Sequence, residues 1–161
     1  AAFERFKILA DKKKDVTDDD IRMLITDESL NSGKTYELVG LQISDCSNGM
    51  PMAAVSIKHN DSIMQDANIG EGTMDAIFKT IDRLTGINGS LQSYNVTSVT
   101  EGKDALAKVT TRVSFDDNAP SFVGHGLSID TMLATAKAYL GSVNSYLSQK
   151  ERLSKNSEHQ V

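Results

Sequence analysis

The sequence predicts an α+β domain: duplicated βββα units packed around a pseudo-two-fold axis, preceded by short linker helices. Three observations predict it. Strand-like apolar runs come in two sets of three, separated by turn residues. Each set ends in a stretch with helical apolar spacing. The Gly-x-Gly of IGEGTMDAIFKTIDRLTG (Ile69 to Gly86) returns in VGHGLSIDTMLATAKAYLGS (Val123 to Ser142), placing Gly70 and Gly72 against Gly124 and Gly126 at a constant offset of 54. One such unit cannot cover its own sheet, so two should pack together.

Ala2 to Val16 has an apolar side of Phe3, Phe6, Ile8, Leu9 and Val16, as an amphipathic helix requires. Thr17 followed by Asp18, Asp19 and Asp20 is an N-cap with acids in the first turn, and starts a short helix through Ile21, Met23, Leu24 and Ile25. These helices are too poor in apolar residues to form a core alone, so 1–33 is expected to be a helical linker subdomain that packs on something else. The polar run Ser29 to Lys34 closes it. The larger unit 34–149 then divides into repeat one, 34–87, and repeat two, 88–149.

In repeat one, strands are expected at Tyr36 to Ser44, Met52 to Ile57 and Ser62 to Ile69, with turns at Ser47-Asn48-Gly49 and His59-Asn60-Asp61. Thr73 to Thr85 carries Met74, Ile77, Phe78, Ile81 and Leu84 at helical spacing, and Gly86 is its C-cap. In repeat two, strands are expected at Leu91 to Val99 and Leu106 to Phe115, with a turn at Glu101 to Asp104. Asp116 to Pro120 is a loop, and Ser121 to Val123 leads into the second Gly-x-Gly, read as a turn into the last helix. That helix carries a narrow stripe of Ile129, Leu133, Ala136, Leu140, Val143 and Leu147. The polar tail 150–161 is expected to fray.

Composition narrows the function. The chain has 161 residues, 39% of them hydrophobic and 24% charged, within the range of one globular domain. A net charge of −5 and the absence of a basic patch interleaved with aromatics argue against nucleic acid. Lys12-Lys13-Lys14 is followed by acids and reads as a solvated helix end. Cys46 is the single cysteine, so there is no disulfide framework and no cysteine metal site, which suits a reducing cytoplasm. No apolar run is long enough to span a membrane, and nothing resembles a signal peptide. The chain starts within a helical pattern and without Met, as expected of a piece of a longer protein.

Catalysis finds no support in the motifs. His59 falls in a turn, His125 beside a glycine and His159 in the tail, with no paired metal-ligand spacing and no nucleophile elbow. The third glycine of a dinucleotide fingerprint is replaced by Asp75 and Ile129, and Gly33-Lys34-Thr35 lacks the rest of a phosphate-binding loop. The glycine corners themselves suit a small anion. Glycine permits close approach to backbone N–H groups, and a helix N-terminus carries free donors and partial positive charge. Glu71, Asp75 and Asp130 beside them could meet an ammonium, and Met74, Leu127 and Ile129 an aliphatic side chain: together, a zwitterion. The competing reading is that the glycines make tight turns and the aspartates stabilise first helical turns, at about 0.3–1 kcal/mol each.

GEGTMDAIFKTID resembles the GdGPVDAafkAId signature of the C-terminal regulatory domain shared by 2-isopropylmalate synthase and citramalate synthase. YNVTSVTEGKDALAKVTTRV is similar to that family's Y-x-V-x-S-V-T-x-G-x-D-A-x-A-x-V stretch, and GHGLSIDTMLATAKAYLGSVNSYL to its closing helix. AFERFKILADKKKDVTDDDIRML resembles the preceding helical subdomain. The resemblance implies a homodimerising domain that binds L-leucine, or L-isoleucine, near the dimer interface and inhibits its own catalytic domain. That catalytic domain would be a TIM barrel condensing acetyl-CoA with a 2-oxo acid by means of a divalent metal. None of it is in this chain, so no catalytic residue and no cofactor is expected here. Carried over by motif, the effector site comprises Gly70, Glu71, Gly72, Met74 and Asp75 at the first corner, then Ser90, Ser93, Thr97 and Ala105, and finally Leu127, Ser128 and Ile129. Thr73 and Met74 depart from the family's usual Pro and Val, which leaves leucine and isoleucine both open. A purely structural dimerisation module, with corners that bind nothing, is the alternative from another class.

Overall fold

The computed structural model describes residues 35–45, 47, 49–99, 105–116 and 120–159. The helices read between Ala2 and Ile25, the linker Ser29 to Lys34, Cys46 and the turn Glu101 to Asp104 lie outside them. Strands β1 (Glu37–Ser44), β2 (Met52–His59) and β3 (Ser62–Ile69) form an antiparallel sheet in that order and lead into helix α1 (Thr73–Thr85). Strands β4 (Ser90–Ser98), β5 (Ala107–Ser114) and β6 (Phe122–Ser128) form a second antiparallel sheet and lead into helix α2 (Thr131–His159). The expected pair of βββα units is therefore present.

Local chemistry explains the first unit. Asn60 and Asp61 both take positive φ, 48° and 67°, giving the two-residue hairpin turn whose twist matches the strands it joins. Ala53, Val55 and Ile57 alternate onto the inner face of β2 and are buried there against Ala76, Ile77 and Ile81 of α1. The Thr80 hydroxyl lies 3.1 Å from the Ala53 carbonyl oxygen, tying helix to sheet. The Arg83 guanidinium pairs with Asp66 on β3 and holds its carboxyl below the usual carboxylate range. Gly86 ends α1 in the left-handed conformation (φ 71°), its N–H donating to the Asp82 carbonyl at 2.8 Å, as its sequence position foretells.

The second unit is assembled differently, because α2 lies almost on the backbone of β6. Gly124 and Gly126 are inside that strand rather than in a turn. A Cβ at Gly124 would run into the Ala138 carbonyl and the Ser142 amide, and one at Gly126 into the Ala134 carbonyl. The expected second helix-mouth corner is thus a helix–strand contact surface. The expected equivalence of the two glycine pairs fails for the same reason. Strand register matches Met52 to Ile69 and Ala107 to Ser128, so the counterparts of Gly70 and Gly72 fall after Ser128. The sequence offset misleads because β2 and β3 are joined by a two-residue turn, whereas a longer loop joins β5 to β6.

Helix α2 also runs past Gln149, where fraying was expected, to His159. No glycine or proline after Gly141 interrupts it. Early on it covers its own sheet, and further along it crosses to the first. Ala136, Tyr139, Leu140 and Val143 join the β2 and α1 residues and Val113 of β5 in one core. Phe78 of α1 stacks on Tyr139 with ring centroids 4.3 Å apart. None of the described helices is long and apolar enough to cross a membrane.

Candidate functional site

Glycine builds the mouth of α1. Gly70 is buried, and its amide donates to the Pro51 carbonyl at 3.0 Å. A Cβ there would meet the backbone of Asp75 and Ala76, so the chain folds flat against the first helical turn only without a side chain. Gly72 is the N-cap in an extended conformation, and no side chain caps the helix at this residue. Nothing lies within 4 Å of where its Cβ would be. The first-turn N–H groups of Thr73, Met74 and Asp75 have no carbonyl within the helix to bond. The mouth therefore has the geometry of an anion cradle, open on the side of Gly72.

Asp75 is engaged within this corner. Its Oδ2 accepts from the Glu71 amide at 2.8 Å and pairs with Lys79 Nζ at 3.0 Å. The Glu71 amide, and then Lys79, hold the carboxyl below its usual range. Asp75 thus stabilises the first turn, the plainer of its two sequence readings. Glu71 is exposed at the rim, and Met74 is half-buried beside it.

The mouth of α2 is built from side chains. Asp130 Oδ1 accepts from the amides of Met132, at 2.9 Å, and Leu133, at 3.3 Å, while Ser128 Oγ accepts from the Asp130 amide at 3.1 Å. This carboxylate meets the kind of first-turn donors that α1 leaves open, so Asp130 is the cap of α2. Asp130→Ala should cost about 1 kcal/mol of stability in urea unfolding, whereas no comparable cap exists at Gly72 to be lost.

The remaining sequence candidates lie along the second sheet. Thr97, Lys108 and Leu127 stand side by side across β4, β5 and β6, and Ser93 lies opposite Arg112 on the same face. That face turns away from α2, since Val109, Thr111 and Val113 alternate to the helix side. His125 shares it, with Nδ1 3.2 Å from the Thr110 hydroxyl; burial, and secondarily Lys108, push its imidazole pKa down. Ala105 is half-buried just before β5, and Ile129 half-buried just before α2. The structure thus groups Thr97 with Leu127, and Ser128 with Ile129. Ser90 is at the other end of β4, about 20 Å from Thr97 at the rise of a strand. One small amino acid does not reach both from a single chain.

Residues 15–147 match the family described as LeuA allosteric (dimerisation) domain. The chain belongs to this family. It is 75% identical over all of its 161 residues to a 2-isopropylmalate synthase of Aliarcobacter butzleri, covering 31% of that protein. It is 52% identical over 149 residues to a 2-isopropylmalate synthase of Campylobacter hominis, covering 92% of this chain and 29% of that protein. A 2-isopropylmalate synthase of Methylacidiphilum infernorum is 41% identical over 145 residues, covering 90% of this chain and 28% of that protein. The chain therefore spans less than a third of the length of these curated relatives.

Two polar contacts in this LeuA-family domain escaped the sequence reading. Tyr139 donates to Asp82 Oδ1 at 2.6 Å, joining α2 to α1. Asn144 bonds the backbone of Tyr36 twice, joining α2 to the start of β1. The available signal was weak: each is a polar group beside the apolar stripe of its helix. Among the described residues, no group of three or more His, Cys, Asp or Glu comes together as a metal site.

Proposed function

We propose that this chain is the feedback-sensing part of a 2-isopropylmalate synthase, binding L-leucine and forming a homodimer. The observation that carries the proposal is the α1 mouth, where Gly70 and Gly72 leave first-turn donors without a side-chain cap. The amino-acid carboxylate sits there, and Met74, Leu127 and Ile129 supply apolar contact for its side chain. The remaining carried-over residues, Glu71, Asp75, Ser90, Ser93, Thr97, Ala105 and Ser128, frame the site. Because Ser90 and Thr97 are too far apart for one small ligand, the site draws on two copies of the chain. Leucine bound at that junction favours one arrangement of the pair, and so inhibits the acetyl-CoA-dependent condensation in the catalytic remainder of the enzyme. That remainder holds the divalent metal, and the whole protein works in the cytoplasm. The names of the relatives favour leucine over the isoleucine of a citramalate synthase.

A purely structural dimerisation module is the second reading, favoured by the self-capped α2 mouth and by the engaged Asp75. Calorimetric titration of the 161-residue chain with L-leucine, L-isoleucine and L-valine separates the readings. The expected result is binding of leucine tighter than isoleucine by about 10-fold or more, the discrimination that one displaced methyl group allows. Tighter isoleucine would reassign the domain to citramalate synthase. Absence of heat from all three, with a dimer by light scattering, would leave the structural module.

A further inference from the structure

Helix α2 links the end of the second sheet to the first residues of the first unit. Helix α2 starts next to Ser128 and Ile129 and runs unbroken past Asn144. Asn144 lies about 20 Å along the axis from the helix start at 1.5 Å per residue. There its side chain grips one residue of the other unit from both sides: Tyr36 N–H donates to Asn144 Oδ1 at 2.9 Å, and Asn144 Nδ2 donates to the Tyr36 carbonyl at 2.8 Å. The same segment is held on its other flank by β2. His59 Nδ1 lies 3.2 Å from the Thr35 carbonyl, and the His59 and Tyr36 rings are 4.8 Å apart. Residues 1–34 lead directly into this clamp in the sequence.

We infer that Asn144 is a positioning residue that couples the Ser128–Ile129 end of α2 to the chain entering at Thr35 and Tyr36. The inference rests on the leucine reading of the site. A helix transmits a shift along its axis because its backbone hydrogen bonds leave it little room to compress. A side chain bonded to both the N–H and the C=O of a single residue passes that shift to the backbone, without slack from a rotating side chain on the receiving side. Val143 lies in the shared core and Leu147 packs against it, so this turn of the helix keeps Asn144 facing Tyr36.

The test is amide hydrogen exchange on the 161-residue chain with and without L-leucine, together with calorimetry on the same samples. In the unmodified chain, leucine should slow exchange of the Tyr36 amide by about tenfold, the scale of one hydrogen bond strengthened in a local opening. In Asn144→Ala, leucine should still bind, weakened by no more than about tenfold as reciprocity requires, but the Tyr36 amide should no longer respond. Asn144→Asp keeps the acceptor for Tyr36 N–H and loses the donor to its carbonyl, so it should respond part-way and serves if the alanine variant unfolds. Leucine binding with an unchanged Tyr36 amide, or an undiminished response in both variants, would overturn the inference. No leucine heat from the unmodified chain would instead overturn the reading on which it rests.

Discussion

Gly126→Val should abolish the folded domain or remove about 4 kcal/mol or more of its stability, because the valine would stand in backbone rather than in side chains. The first atom beyond the glycine meets the Ala134 carbonyl and comes 2.9 Å from the Ala138 amide nitrogen. No rotamer change relieves such an overlap, so α2 would have to lift off β6 along its length. Ordinary overpacking of a core costs about 1–3 kcal/mol, because side chains can yield. Here Ala134, Ala138 and Val109 would be exposed as well. The total stability of a domain this size is about 5–15 kcal/mol, so the loss is a large share of it. Gly124→Val should behave alike, since its Cβ would meet Ala138 and Ser142. Gly40→Ala is the control: nothing lies within 4 Å of its Cβ, and its effect should stay within about 0.5 kcal/mol. Urea unfolding followed by circular dichroism separates these outcomes. Similar midpoints for Gly126→Val and Gly40→Ala would contradict the packing described.

Tyr139→Phe should cost about 2–3 kcal/mol at pH 7, more than one neutral hydrogen bond. The Tyr139 hydroxyl donates to Asp82 at 2.6 Å, and the other Asp82 oxygen is 3.4 Å from the Gly89 amide. Burial pushes the Asp82 carboxyl up, against the opposing effect of the Tyr139 bond, and burial likewise pushes the Tyr139 phenol up. Phenylalanine keeps the stack on Phe78 but leaves a partly buried carboxylate with one weak donor. A raised folded-state pKa means that charged Asp82 opposes folding above that pKa, and protonation relieves the opposition as pH falls towards the ordinary value of 3.8. Losing Tyr139 raises the folded pKa further, so the cost of Tyr139→Phe should be full at neutral pH and shrink on acidification. In an Asp82→Asn background the cost should be smaller and flat with pH. A cost independent of pH in the parent would show that the hydroxyl matters for some reason other than the carboxylate.

The elements that the sequence places best are those bounded by local chemistry. Strand β3 and helix α1 were expected at Ser62 to Ile69 and Thr73 to Thr85, the spans they occupy. Asn60 and Asp61 accept positive φ, Gly72 opens a helix and Gly86 closes it, and each of these acts within a few residues of itself. The strand FVGHGLS was misread as a turn because two glycines in seven residues look like punctuation. Their actual role depends on Ala134 and Ala138, which are near them only once α2 has folded back. The glycine-built mouth of α1 was legible, but the engagement of Asp75 by Glu71 and Lys79 was not. Aspartate in a first turn has the same sequence signature whether it faces a ligand or its own helix.

Thus the two βββα units, the apolar side of α1 and the family motif at Gly70 and Gly72 were already legible in the order of residues. Periodicity and turn preference are properties of neighbouring residues, and they survive without knowledge of what packs against them. That Gly124 and Gly126 serve a helix–strand contact, that Asp130 closes one mouth while Gly72 leaves the other open, and that Asn144 holds Tyr36 emerged from the packing. Each of those depends on atoms far apart in the chain, or on which of several donors a side chain reaches, and contact geometry of that kind is fixed only when the whole core closes.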